Sequence, residues 1–167
     1  MNKILPTVID NTFRGRKVAL WFFYLITLVT VVRSCIHIFK YDGGAQSIAT
    51  IPLDTYTDAG EATVILIFAY WGLSQLMFGI IQVIVAFKYK SLIPLMYLML
   101  VIEWGGRFAI SLFKTIETTG QAPGGIGNKV LPIICLVMFF LSINRDYYKK
   151  IQTARPHIHM RPHEADH

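Results

Sequence analysis

Four ionisable residues stand in this chain where a charge is costly. Glu103 and Arg107 lie four apart near the middle of a charge-poor run, and Arg33 and His37, also four apart, lie in another, with Thr30 and Ser34 alongside. Residues at that spacing share one face of a helix, and Ser111 and Lys114 fall on the face of Glu103 and Arg107. At the centre of a bilayer a charged side chain costs roughly 2.5–3.5 kcal/mol on the insertion scale, so such residues persist only when paired or hydrated, and they mark ligand or proton sites. Arg33 and Arg107 suit an anion. Glu103 would orient Arg107 or move a proton, and in an enzyme His37 or Glu103 would serve as acid or base. The competing reading is a structural lock, in which Glu103 and Arg107 pair between helices and Gly105 and Gly106 let a neighbour come close. Glu61, which opens the second helix at the membrane surface on the same side, would balance the two arginines together with Glu103. It has a second reading, because Asp58-x-x-Glu61 resembles a capping box with Asp58 as the cap and Glu61 at N3.

The elements that must carry these residues are apolar and long. Of 167 residues, 54% are hydrophobic and 16% charged, where a soluble domain carries about a quarter charged. Four apolar segments stand out, at about 18–39, 62–87, 92–113 and 130–148, the last completed by Asn144 to Tyr148. About 20 helical residues cross a ~30 Å hydrocarbon core. The runs lack the alternation of a barrel, so backbone groups must be satisfied within helices. The expected fold is all-α: a polytopic membrane protein built as a four-transmembrane-helix bundle. Residues 1–16 form an interfacial segment whose Ile4, Leu5, Val8, Ile9 and Phe13 recur as in an amphipathic helix, residues 17–148 the membrane domain, and residues 149–167 a polar tail. The first apolar segment exceeds the ~7–15 residues of a signal-peptide core, so it reads as a retained helix.

Orientation follows from the cations. Eleven (Lys3, Arg14, Arg16, Lys17, Lys88, Lys90, Arg145, Lys149, Lys150, Arg155 and Arg161) fall at the two ends and in the second loop, against Lys40, Lys114 and Lys129 in the other two loops. By the positive-inside rule both termini are cytoplasmic. Arg33 and Arg107, each past the midpoint of an outward-running helix, then lie in the outer half of the membrane. Because the basic residues flank apolar segments, the net charge of +6 points to a membrane surface and not to nucleic acid.

On the second helix Gly72, Gln75, Gly79, Gln82 and Ala86 recur at steps of three and four. Such a seam of small and amide residues lets helices pack closely in lipid, within the bundle or against another protomer. The loop Tyr41–Thr57 has Ile48, Ile51 and Leu53 to pack over the bundle. The Gly-rich loop Thr115–Lys129 lacks a Walker pattern and reads as a flexible connection. His157, His159, His163 and His167 read as a solvated tail, and no metal site is expected. Cys35 and Cys135 read as small packing residues that would bridge only if the first and fourth helices touch. The absence of Cys-x-x-Cys disfavours a thiol oxidoreductase of the vitamin K reductase kind. No cofactor motif is present.

The run Glu103-Trp104-Gly105-Gly106-Arg107, followed by a Gly120-to-Pro123 turn and a fourth helix, resembles small bacterial four-helix inner-membrane proteins of the DoxX-like group. Within that neighbourhood it is similar to an uncharacterised family with an E-x-x-G-R element in its third helix. The match rests on Glu103, Gly106, Arg107 and the four-helix plan. It implies a bacterial inner-membrane protein and brings no activity with it. Two function classes follow. One is a site for an amphipathic or anionic ligand, of lipid, quinone or isoprenoid type, at Arg33, His37, Glu103 and Arg107. The other is an accessory or scaffold subunit, in a homo-oligomer or a larger membrane complex. The ligand reading expects a cavity reaching Glu103 and Arg107 from the outer side; the scaffold reading expects both residues fully engaged with protein and the Gly72–Ala86 seam exposed. A small dimeric drug exporter would place an unpaired acid in the first helix, where this chain has Arg33.

Overall fold

The computed structural model of the protein describes residues 4–144. Four helices account for most of them: α1 (Lys17–Phe39), α2 (Asp58–Lys88), α3 (Ile93–Ser111) and α4 (Pro123–Ile143), with short 3-10 turns at Leu53–Thr55 and Lys90–Leu92. There is no strand among the described residues, and all four helices are long and apolar enough to cross a membrane. The protein is therefore an all-helical, multi-pass membrane bundle, as the apolar runs require.

The helix ends differ from the expectation where polar residues do the capping. α2 starts before its apolar run because Thr57, in extended backbone, accepts a hydrogen bond from Gly60 N–H through its hydroxyl at 3.2 Å. Thr57 is thus the N-cap; Asp58 occupies N1 and Glu61 N4, so the capping box with Asp58 as cap is not formed. α4 begins at Pro123, well ahead of Val130, because proline's fixed φ and missing N–H suit the first turn. Gly124, Gly125 and Gly127 therefore sit in a helix and not in a flexible loop. That early start gives α4 its 21 residues without the stretch after Ile143, where Asn144 leaves the helix at ψ 98°. Arg145 to Tyr148 lie outside the described residues.

α1 pairs with α2 and α3 with α4, and the two hairpins join chiefly through α1 and α4. The largest core occupies the end where α1 and α3 begin, the terminal end. There Ala19, Phe23, Val85, Ile93, Tyr97, Leu100 and Phe139 are buried. The Tyr97 hydroxyl, which would be costly to bury unpaired, donates to Ala19 O, and Phe23 meets the Tyr97 ring edge-on at 5.7 Å. Across this end runs the N-terminal segment. It is not a helix: Asp10 N–H donates to Ser91 Oγ, Ser91 N–H to Asp10 O, and Arg16 N–H to Leu141 O. The segment spends backbone hydrogen bonds on the ends of α3 and α4, which a helix would keep within itself. Phe13 and Ile4 pack on the core while Leu5, Val8 and Ile9 stay exposed.

At the opposite, loop end, residues 40–57 fold as expected into a small cap. Ala45, Ile51 and Leu53 are buried against Val64, Ile65 and Phe68 of α2. The cap turns at Gly43 and Gly44, both at positive φ (+60° and +76°), and the buried Asp42 carboxylate accepts from Gly44 and Ser47 N–H. Burial pushes that carboxyl up, but these bonds outweigh it and hold it below its ordinary range. Thr119 N–H donates to Thr50 O and the Thr50 hydroxyl to Gly120 O, tying the two loops together.

Candidate functional site: an arginine–tryptophan cluster at the loop end

The charged residues singled out by their cost meet where the two hairpins come together at the loop end. Arg107 and Glu103, one turn apart on α3, form an ion pair. Arg33 of α1 reaches them through two aromatic rings, without a direct hydrogen bond. Its guanidinium carbon lies 4.7 Å from the Trp104 ring centre and 5.6 Å from that of Trp71, while Arg107 lies 4.7 Å from Trp71 and 5.2 Å from Trp104. Two cations thus share two tryptophans, one on α2 and one on α3. The rings' negative faces attract each guanidinium, a contact worth about 0.5–2 kcal/mol and more when water is excluded. They also keep the two like charges apart. Trp104 finds room because Gly127 of α4 faces it: a Cβ there would come 3.3 Å from the ring.

The charges do not balance as expected. Glu61 sits ten residues from Trp71 on α2, about 15 Å along the axis at 1.5 Å per residue, and makes no ion pair among the described residues. Glu103 alone answers Arg33 and Arg107. Arg33 is the less satisfied, its Nε being buried without a hydrogen-bond partner. Nor does a helix of the bundle close on Gly105 and Gly106, since a Cβ at either would meet nothing within 4 Å.

Beside the cluster opens a cleft of about 280 Å³, lined by Arg33, Trp71, Arg107, Ile110, Ser111, Lys114, Gly124 and Asn128, so that all four helices or their ends contribute. Arg107, Ser111 and Lys114 share the α3 face that their spacing gives them. Glu103 and His37 are not among the lining residues. His37 stands behind Trp71, stacked on it at 4.8 Å and edge-on to Phe68 at 5.5 Å. It is buried, with Nδ1 hydrogen-bonded to Gly43 O at 2.7 Å. In the neutral ring Nδ1 is then the donor, and Nε2 is a buried acceptor with no partner.

The α2 seam is internal. Gly72, Gln75, Gly79, Gln82 and Ala86 are all buried, and the glycines touch α1. A Cβ on Gly72 would lie 2.7 Å from His37 Cβ and 3.1 Å from Ser34 O; one on Gly79 would lie 3.1 Å from Val31 Cγ2. This close approach sets the depth at which α1 presents Arg33 and His37 to Trp71. Cys35 and Cys135 are free, so no bridge joins α1 to α4. Among the described residues no three histidine, cysteine or acidic side chains come together, and the histidine-rich tail lies outside them.

Sequence reasoning gave Trp71, Trp104, Asn128 and Gly127 no part in the site. The signal for the tryptophans was there: both stand well inside apolar runs, away from the membrane interface that tryptophan ordinarily favours, at the depth of the arginines. No family model, curated protein or solved structure matches the chain.

Proposed function

We propose that this is a multi-pass protein of a bacterial inner membrane, with both termini in the cytoplasm, that binds a small anionic amphiphile in the cleft at its outer-leaflet end. The orientation rests on the eleven-to-three cation split, and the bacterial setting on the resemblance through Glu103, Gly106 and Arg107 to DoxX-like proteins. One observation carries the ligand reading. Two guanidinium groups are stacked on two tryptophans beside an open cleft, with a single carboxylate, paired to Arg107, to answer them. A site holding uncompensated cations in a low-dielectric setting favours an anion. The aromatic and aliphatic wall of Trp71 and Ile110 suits an apolar tail of lipid, quinone or isoprenoid type. The buried Gly72–Ala86 seam also counts against the scaffold reading in the form first expected.

A scaffold role keeps one observation in its favour. Gly105 and Gly106 on α3, and Gly125 on α4, leave open space where another helix would fit. Native mass spectrometry of the full chain released from membranes separates the readings. A co-purifying anionic amphiphile, lost in Arg33→Gln, is the expected result. A ligand-free protein in a stoichiometric complex would leave the scaffold role.

A further inference from the structure

The cleft's charge carries the ligand reading further, to the headgroup. Three cationic side chains line it: Arg33, Arg107 and Lys114. Glu103 neutralises Arg107, and neither Arg33 nor Lys114 has a carboxylate within ion-pair distance among the described residues. Two positive charges are therefore left over at one opening. Arg33 is already immobilised between aromatic rings with an unpartnered buried Nε. Its fork is thus fixed in advance, which lowers the entropic cost of gripping an oxyanion. Lys114, one turn beyond Ile110 at the end of α3, brings a mobile point charge over the same opening. Asn128 adds a neutral amide donor from α4, while the Ser111 hydroxyl on α3 is already spent on Phe108 O. Two free cations and the Asn128 amide around a half-open apolar cleft suit an anion with several oxygens and about two charges. A carboxylate or a phosphodiester carries only one.

Resting on the cleft being a ligand site, we infer that it recognises a terminal phosphate, as a phosphate monoester or diphosphate, and that Lys114 and Asn128 belong to the binding set with Arg33 and Arg107. A phosphate monoester carries about −1.5 to −2 charges at neutral pH and offers three acceptor oxygens. Its second charge is what Lys114 would answer.

The test titrates the full-length protein in neutral detergent with four probes: phosphatidic acid, phosphatidylglycerol of the same acyl chains, oleate and inorganic pyrophosphate. The phosphomonoester lipid is expected to bind about tenfold or more tightly than the phosphodiester lipid, the worth of one charge-assisted hydrogen bond. Lys114→Gln, which lies beyond the membrane-spanning part of α3, should weaken phosphatidic acid binding about tenfold more than phosphatidylglycerol binding and so remove that preference. Pyrophosphate binding as well as phosphatidic acid would uphold the phosphate chemistry and assign it to a soluble source. Equal binding of phosphatidic acid, phosphatidylglycerol and oleate would overturn the dianionic headgroup and leave the anionic-amphiphile reading standing. No binding of any probe would overturn both. A Lys114→Gln protein that keeps its preference would remove Lys114 from the set.

Discussion

Glu103 does two jobs that pull in one direction. It pairs with Arg107, and it is the carboxylate nearest a second guanidinium, Arg33, that shares the same two tryptophan rings. Removing it leaves two like charges facing each other in a site with little water to screen them. Glu103→Gln should therefore lower the thermal midpoint in detergent, by a few degrees for each kcal/mol lost. Adding Arg107→Leu to that variant should recover part of the loss, because the repulsion goes with the second cation. A double variant less stable than Glu103→Gln alone would show that the cluster is not under the electrostatic strain described. That Arg33, Glu103 and Arg107 gather in one cluster was legible because a charge in an apolar run has to be explained. The part played by Trp71 was not, because an aromatic residue in such a run needs no explanation until a cation is found against its face.

At the scale of the helices, glycines with the same composition have opposite meanings. Gly72 lies where a Cβ would collide with His37 and with the Ser34 carbonyl, whereas Gly105 and Gly106 face open space. Gly72→Ala should destabilise the α1–α2 hairpin and disturb the stacking of His37 on Trp71, read as a fall in thermal midpoint. Gly105→Ala and Gly106→Ala should be neutral or stabilising by up to about 1 kcal/mol, the helix-propensity difference between the two residues. Destabilisation by Gly106→Ala in the intact membrane but not in detergent monomers would instead reveal a partner helix on that face. The seam from Gly72 to Ala86 could be read from its steps of three and four, since a periodicity belongs to one helix. Its partner could not, and neither could the emptiness around Gly105. The N-terminal segment shows the same limit: its apolar spacing suits a helix, but the hydrogen bonds offered by Ser91 and Leu141 hold it extended along the terminal end.

For the whole molecule the testable quantity is its orientation. Reporter fusions after Lys90 and after Lys150 should report cytoplasm, and one within the Thr119–Gln121 turn, ahead of the helix that begins at Pro123, should report the opposite side. A cytoplasmic signal from that turn would place the cleft in the inner leaflet. The number of spans and their helical nature were determined by the sequence alone, because the bilayer demands about 20 apolar residues and a self-satisfied backbone of any segment that crosses it. Both demands are local. The charges likewise declared themselves, since their cost depends only on depth. What the tertiary structure decided is everything that depends on which helix faces which. It set two tryptophans between two arginines and left Glu61 too far away to balance them. It turned one glycine seam inward and another outward, and opened a cleft where α3 and α4 approach α1 and α2. These are contacts between residues tens of positions apart, fixed by close packing of four helices at once.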